Sequence, residues 1–139
     1  KDGKFISAFG SRGSGDGEFN LPWGIDLDKE DNIYVADWRN DRIQKFTKDG
    51  KFLMAFGTSG SEPGELNRPT GVAVDRTGMI YVADWGNERM QMYDPAGKFV
   101  TLTTGDGTMS KWGKDKLDGN AEMWGLREIA QGLEREKDF

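Results

Sequence analysis

The chain contains neither cysteine nor histidine in its 139 residues. Without thiols it has no disulfides and no thiolate metal sites, and the redox compartment stays open. Without imidazole it lacks the commonest metal ligand and the commonest general base. No segment approaches the roughly 18 consecutive apolar residues of a membrane span. No signal peptide is visible, but the chain opens at Lys1 rather than Met. Localisation is therefore left unassigned. Positive charge is also in short supply: 19 Lys and Arg face 24 Asp and Glu, for a net charge of −5. A nucleic-acid binder normally shows a basic footprint, so RNA and DNA are disfavoured as partners.

Glycine and aromatic residues are plentiful, with 20 Gly and 12% Phe, Trp and Tyr. That combination points to short strands joined by tight turns, with aromatics filling the space between sheets. Disordered chains are poor in aromatic and β-branched residues, so disorder is not expected.

The dominant feature is a gapless repeat with a period of 47 residues. Lys1–Phe46 aligns with Lys48–Tyr93, and 25 of the 46 paired positions are identical. Many of the remainder are conservative, such as Ile25/Val72, Asp41/Glu88 and Phe46/Tyr93. Self-similarity at this period marks a stacked repeat architecture. Within one unit four apolar segments alternate with turn signals: Gly24–Asp28, Asn32–Ala36, Arg42–Phe46 and Lys51–Phe56. Four antiparallel strands per 40 to 50 residues is the cadence of a propeller blade. The run Ile33–Ala36 is apolar on both faces, as a sheet sandwiched between neighbours requires. No helical period persists through either unit. The fold class is therefore all-β, built of four-stranded antiparallel blades.

The pattern P-x-G-[IV]-x-[LV]-D, then IYVADW-x-N-x-R-[IM]-Q, then GKF resembles the NHL-repeat family. It is carried by Pro22, Gly24, Asp28, Ile33–Trp38, Asn40, Arg42, Gln44 and Gly50–Phe52. The second set is Pro69, Gly71, Asp75, Ile80–Trp85, Asn87, Arg89, Gln91 and Gly97–Phe99. A WD40 reading fails, since Gly-His is missing and the order is Asp-Trp rather than Trp-Asp. The resemblance implies a β-propeller, usually of six blades, and leaves function open between protein-binding, RNA-binding and catalytic scaffolds.

The domain reading is two NHL-type blades over residues 1–105, with residues 1–10 an outer strand of a preceding blade. Residues 106–139 break the repeat. Asn120 suits an N-cap, and Met123, Leu126, Ile129, Ala130 and Leu133 fall on one helical face. This segment is read as a helical insertion or lid in a blade-to-blade loop. Two blades close nothing, because propellers have about 4 to 8. The further blades come either from a longer chain, the preferred reading, or from homo-oligomerisation into a trimer.

Candidate binding residues lie on the rim expected to join the Asp37–Asp41 and Asp84–Glu88 loops to the Gly-rich connections. They are Trp23, Trp38, Arg39, Asn40, Arg68, Trp85 and Asn87, together with Trp112 and Trp124 of the lid. Trp, Arg and Asn together suit a protein, small-molecule or glycan ligand. The preferred reading of the two loops is structural: it pairs Asp37 with Arg42 and Asp84 with Arg89, and puts Asn40 and Asn87 in left-handed turn conformations. Positions that differ between copies are the stronger functional candidates: Trp23 against Thr70, Arg39 against Gly86, Leu21 against Arg68.

Asp26, Asp28 and Asp75 lie on the first strands, where carboxylates suit Ca²⁺. The preferred reading makes Asp28 and Asp75 caps of the turns that follow. No cofactor is expected and no catalytic residue is assigned. The chain is read as a binding scaffold. The lesser alternative is part of a lactonase- or lyase-like propeller enzyme, with a divalent metal in its funnel and its catalytic residues in other blades.

Overall fold

The computed structural model describes residues 2–104. A two-residue parallel pair, β1 (Ser11–Arg12) and β2 (Glu18–Phe19), precedes the first sheet. That sheet contains β3 (Pro22–Leu27), β4 (Ile33–Asp37), β5 (Arg42–Phe46) and β6 (Phe52–Phe56), hydrogen-bonded in sequence order. The second sheet repeats it with β7 (Pro69–Val74), β8 (Ile80–Asp84), β9 (Arg89–Tyr93) and β10 (Phe99–Thr104). Every pairing within the two sheets is antiparallel. These are two successive propeller blades, joined by the Gly-rich connection after β6. Even the β1–β2 pairing recurs, as a parallel bridge between Ser59 and Leu66.

The core is the seam between the blades. Tyr34, Ala36 and Ile43 of the first sheet cluster with Val72, Ile80, Val82 and Tyr93 of the second and with Leu66 of the connection between them. Met54 and Phe56 extend the seam outward, and the Phe56 and Tyr93 rings lie 4.7 Å apart. Strand β3 lies against β7. Close approach there depends on Gly24, where a Cβ would fall 2.6 Å from the Thr70 carbonyl oxygen and 2.8 Å from Gly71 Cα. Across the same seam the Val74 amide donates to Asp26 Oδ2 at 2.7 Å.

The outward faces of the pair are only partly covered. Trp23, Ile25 and Leu27 on the first sheet are more than half exposed, whereas their repeat mates Thr70, Val72 and Val74 are at least partly covered. Farther from β3, Phe9 closes the gap by packing on Phe46 and Phe19 at 5.0 and 6.4 Å.

Residues 4–9, expected as an outer strand, carry no strand hydrogen bonding; residues 2–10 run as irregular chain. An outer strand needs an adjacent third strand to bond to, and none among the described residues precedes it. The helical reading of 106–139, with Trp112 and Trp124, lies outside the described residues. Among the described residues helix is limited to two single 3-10 turns, Trp38–Asn40 and Trp85–Asn87. No helix there is long and apolar enough to cross a membrane.

Candidate functional site

The rim is assembled around one buried carboxylate in each blade. Asp37 ends β4 with no exposed surface. Its Oδ1 accepts the Asn20 amide at 2.7 Å. Its Oδ2 accepts from Asn40 Nδ2, Arg42 Nε and Gln44 Nε2 at 2.8, 3.0 and 3.1 Å. The donors then reach into the preceding connection: Asn40 to the Gly13 carbonyl, Arg42 to those of Gly15 and Glu18, and Gln44 to that of Glu18. Asp84 repeats the arrangement with Asn67, Asn87, Arg89 and Gln91. The sequence pattern D-W-x-N-x-R-x-Q is thus a hydrogen-bonded clamp that fixes the Gly-rich connection against the β4–β5 and β8–β9 turns. Both loop types accordingly share one rim.

The left-handed residues are not Asn40 and Asn87. Asp41 and Glu88, at φ 51° and 52°, take that conformation at the ends of the two 3-10 turns. The asparagines stay within the turns, and this lets their amides reach back to the carboxylates. Leu21 and Arg68 are also left-handed, at φ 57° and 52°, just before the innermost strands.

Three of the other rim candidates meet around Trp38. Trp23 lies 5.8 Å from it, ring centre to ring centre. The guanidinium carbons of Arg39 and Arg68 sit 5.7 and 5.1 Å from the centre of the Trp38 ring. Arg68 belongs to the next blade, and Asp41 holds it in place. Asp41 Oδ1 accepts the Arg68 amide at 2.6 Å while Oδ2 accepts the Ser59 hydroxyl at 2.7 Å. Sequence reasoning missed Asp41. Its signal was an acidic residue at the same place in both copies, Asp41 and Glu88, where a turn asks for a left-handed residue.

The second blade does not reproduce this cluster. Trp85 is 59% exposed and makes no ring or guanidinium contact among the described residues. At Gly86 a Cβ would lie 2.5 Å from the Asn67 side chain and 2.7 Å from its carbonyl oxygen. The Arg39/Gly86 difference therefore has a packing reason in the second blade. Asn87 is committed to Asp84 and to the Gly60 carbonyl.

Beside the cluster opens a cavity of about 570 Å³, lined by Phe9–Arg12, Phe19–Pro22 and Arg39. Arg12 and Phe19 were not singled out from sequence.

The acidic candidates do not converge. Asp28 Oδ1 accepts the Glu30 and Asn32 amides at 3.0 and 2.9 Å. Its Oδ2 takes Asn32 Nδ2 at 2.9 Å and Lys45 Nζ at 3.1 Å. Burial pushes the Asp28 carboxyl upward, but the Asn32, Lys45 and Glu30 hydrogen bonds outweigh it and hold the group at about 2. Asp75 accepts the Thr77 and Met79 amides, and Asp26 faces the seam. Among the described residues no three acidic groups gather as metal ligands. Burial raises the Tyr93 phenol above its ordinary value, with Asp84 adding to the effect and Arg89 opposing it.

The sequence profile described as NHL repeat matches residues 19–46 and 66–93, one match in each blade. Among curated relatives, the E3 ubiquitin-protein ligase TRIM71 of Rattus norvegicus is 51% identical over 41 residues, covering 30% of this chain. Protein lin-41 of Caenorhabditis elegans is 51% identical over 43 residues, covering 31% of it. The matched segments span only 5% and 4% of those two proteins. A solved structure of a Bacteroides caccae protein of unknown function superposes with a TM-score of 0.50. It is 16% identical, the match covers 61% of this chain and 29% of that one, and the likeness concerns fold alone. The two profile matches fall on the two four-stranded blades, so these two segments are NHL repeats, the blades of a β-propeller type.

Proposed function

We propose that this propeller segment is a non-catalytic binding scaffold whose partner, a protein, docks on the rim around Trp38. The observation that carries the reading is the convergence of Trp23, Arg39 and Arg68, from both blades, on that one ring. The clamps centred on Asp37 and Asp84 hold the rim in place before any partner arrives, so little ordering cost remains to be met on binding. Trp and Arg are the residue types that dominate binding hot spots, because they offer large contact area with a polar edge. The function resides in shape and anchor residues, not in bond chemistry.

Peptides selected from a random library on the 139-residue chain test this. The selected sequences are expected to bind wild type, and Trp38→Ala is expected to weaken them by about thirtyfold, the equivalent of a 2 kcal/mol hot spot. Selected peptides indifferent to Trp38→Ala, or a library that yields no binder, refute the reading.

A further inference from the structure

The rim is locally cationic in a chain that is anionic as a whole. Net charge is −5, yet Arg12, Arg39 and Arg68 all lie exposed at or beside the Trp38 cluster. None of the ion pairs among the described residues involves them. The scaffold arginines behave differently: Arg42 and Arg89 are each tied to a buried aspartate, at 3.0 and 2.7 Å. Nor does the repeat require the three. Their mates are Ser59, Gly86 and, for Arg68, Leu21. Two of them rest over the face of Trp38, and Arg12 and Arg39 share the cavity of about 570 Å³. The rest of that cavity is walled largely by apolar groups: Phe9, Phe19, Leu21 and Pro22.

We propose that this cavity docks an acidic linear peptide. One large apolar side chain enters against Phe9, Phe19, Leu21 and Pro22, and flanking carboxylates pair with Arg12 and Arg39, with Arg68 reached by the peptide's far end. This rests on the rim-binding reading and adds the chemical class of the partner.

A guanidinium held over an aromatic ring keeps its edge free for the bidentate pairing that carboxylates prefer. Its rotamer is already restricted, so less entropy is lost when the carboxylate arrives. A cavity of this size falls within the roughly 300–1,000 Å³ typical of ligand sites. Single-stranded nucleic acid also offers negative charge and stacking rings. It carries one charge per nucleotide, however, and would lay that charge along a chain whose net charge is −5. A peptide with a few carboxylates around one apolar side chain matches a few arginines around one apolar pocket.

The test uses the full 139-residue chain and fluorescence anisotropy. The probes are a labelled peptide with glutamates flanking a single phenylalanine, its glutamine counterpart, and an oligouridine of equal length. The glutamate peptide is expected to bind with an affinity that falls as salt rises. The glutamine counterpart is expected to bind at least about tenfold more weakly, as are Arg12→Gln and Arg39→Gln toward the glutamate peptide. Equal binding of the two peptides, indifference to both substitutions, or tighter binding of oligouridine overturns the proposal. Library peptides that depend on Trp38 without acidic preference overturn it too, while leaving the rim-binding reading intact. A library that yields no Trp38-dependent peptide removes both.

Discussion

Replacing Asp37 with alanine removes one carboxylate and leaves four donors facing a void. The Asn20 amide, the Asn40 amide group, Arg42 Nε and Gln44 Nε2 all converge on it within 3.1 Å. Asp37 has no exposed surface and the Arg42 side chain is only 12% exposed, so water does not readily replace the lost acceptor. Arg42 keeps the Gly15 and Glu18 carbonyls but loses its charge partner. Removing one member of a buried pair costs about 3–5 kcal/mol, because the other charge stays buried and uncompensated. Total stability of a domain is about 5–15 kcal/mol, so the loss is a large share of it.

Equilibrium unfolding in urea, followed by tryptophan fluorescence, measures this. With a slope of roughly 1–3 kcal/mol per molar, the Asp37→Ala midpoint is expected to fall by more than about 1 M. Asp84→Ala serves as an internal replicate, since its partners are the same four residue types one repeat later. A second variant separates buried charge from lost packing. Combining Asp37→Ala with Arg42→Met removes both charges, and it is expected to be more stable than Asp37→Ala alone. A loss below about 1 kcal/mol at both Asp37 and Asp84 would refute the clamp as the organiser of the rim.

Three further outcomes are expected. Asp28, held at about 2 in the folded chain against 3.8 for an ordinary aspartate, contributes stability that is complete above pH 4. That contribution is lost as pH falls toward 2, amounting to roughly 1–2 kcal/mol. In a urea series across pH, Asp28→Asn should flatten this acid limb, and curves that stay parallel to wild type contradict it. Gly24→Ala should cost about 1–3 kcal/mol by driving a methyl into the Thr70–Gly71 backbone. The repeat mate Gly71→Ala, whose nearest neighbour would be Ala83 Cβ at 3.5 Å, should be nearly neutral; equal losses sink the seam argument. Ile43→Ala, fully buried in the seam, should lose about 2–5 kcal/mol in thermal or urea unfolding. Met90→Ala, at the equivalent but 48% exposed position, should stay within about 0.5 kcal/mol, and a matching loss there would contradict the exposure described.

The blades were legible in the sequence because a period of 47 residues multiplies every weak local signal by two. Strand Arg42–Phe46 runs as expected, Ile33–Asp37 is shifted by one residue at both ends, and Phe52–Phe56 begins one residue later than expected. The first strand begins two residues earlier than expected, at Pro22, because Pro22 pairs with Asp37 across a register shift that no composition rule reveals. The pairs Asp37–Arg42 and Asp84–Arg89 were foreseen from spacing alone. What spacing did not show is that these pairs also grip carbonyls more than twenty residues away, through Arg42, Gln44 and their mates. The left-handed residue was misplaced by one position for the same reason. Asparagine is the usual candidate by propensity, but its side chain was already required by the clamp. Arg12 and Phe19 went unnoticed because a cavity wall has no sequence period.

The comparison between copies sorts the rim more sharply than any single residue does. Positions identical in both blades, such as Asp37/Asp84, Asn40/Asn87 and Arg42/Arg89, are the ones whose side chains hydrogen-bond to one another within the protein. A residue committed to holding a loop in place is not free to turn toward a ligand. The positions that differ, Leu21, Trp23, Arg39 and Arg68, carry no part of the clamp through their side chains, and they surround Trp38 or its adjoining cavity. Trp38 itself has an identical mate in Trp85, yet among the described residues only the first copy has gathered a second ring and two guanidiniums around it. The shared scaffold therefore supplies a tryptophan at both described blade rims, and the neighbouring unshared residues single out the first as the proposed binding surface. It follows that Gly86→Arg would not by itself build a second site, because Asn67 occupies the space that the new side chain needs.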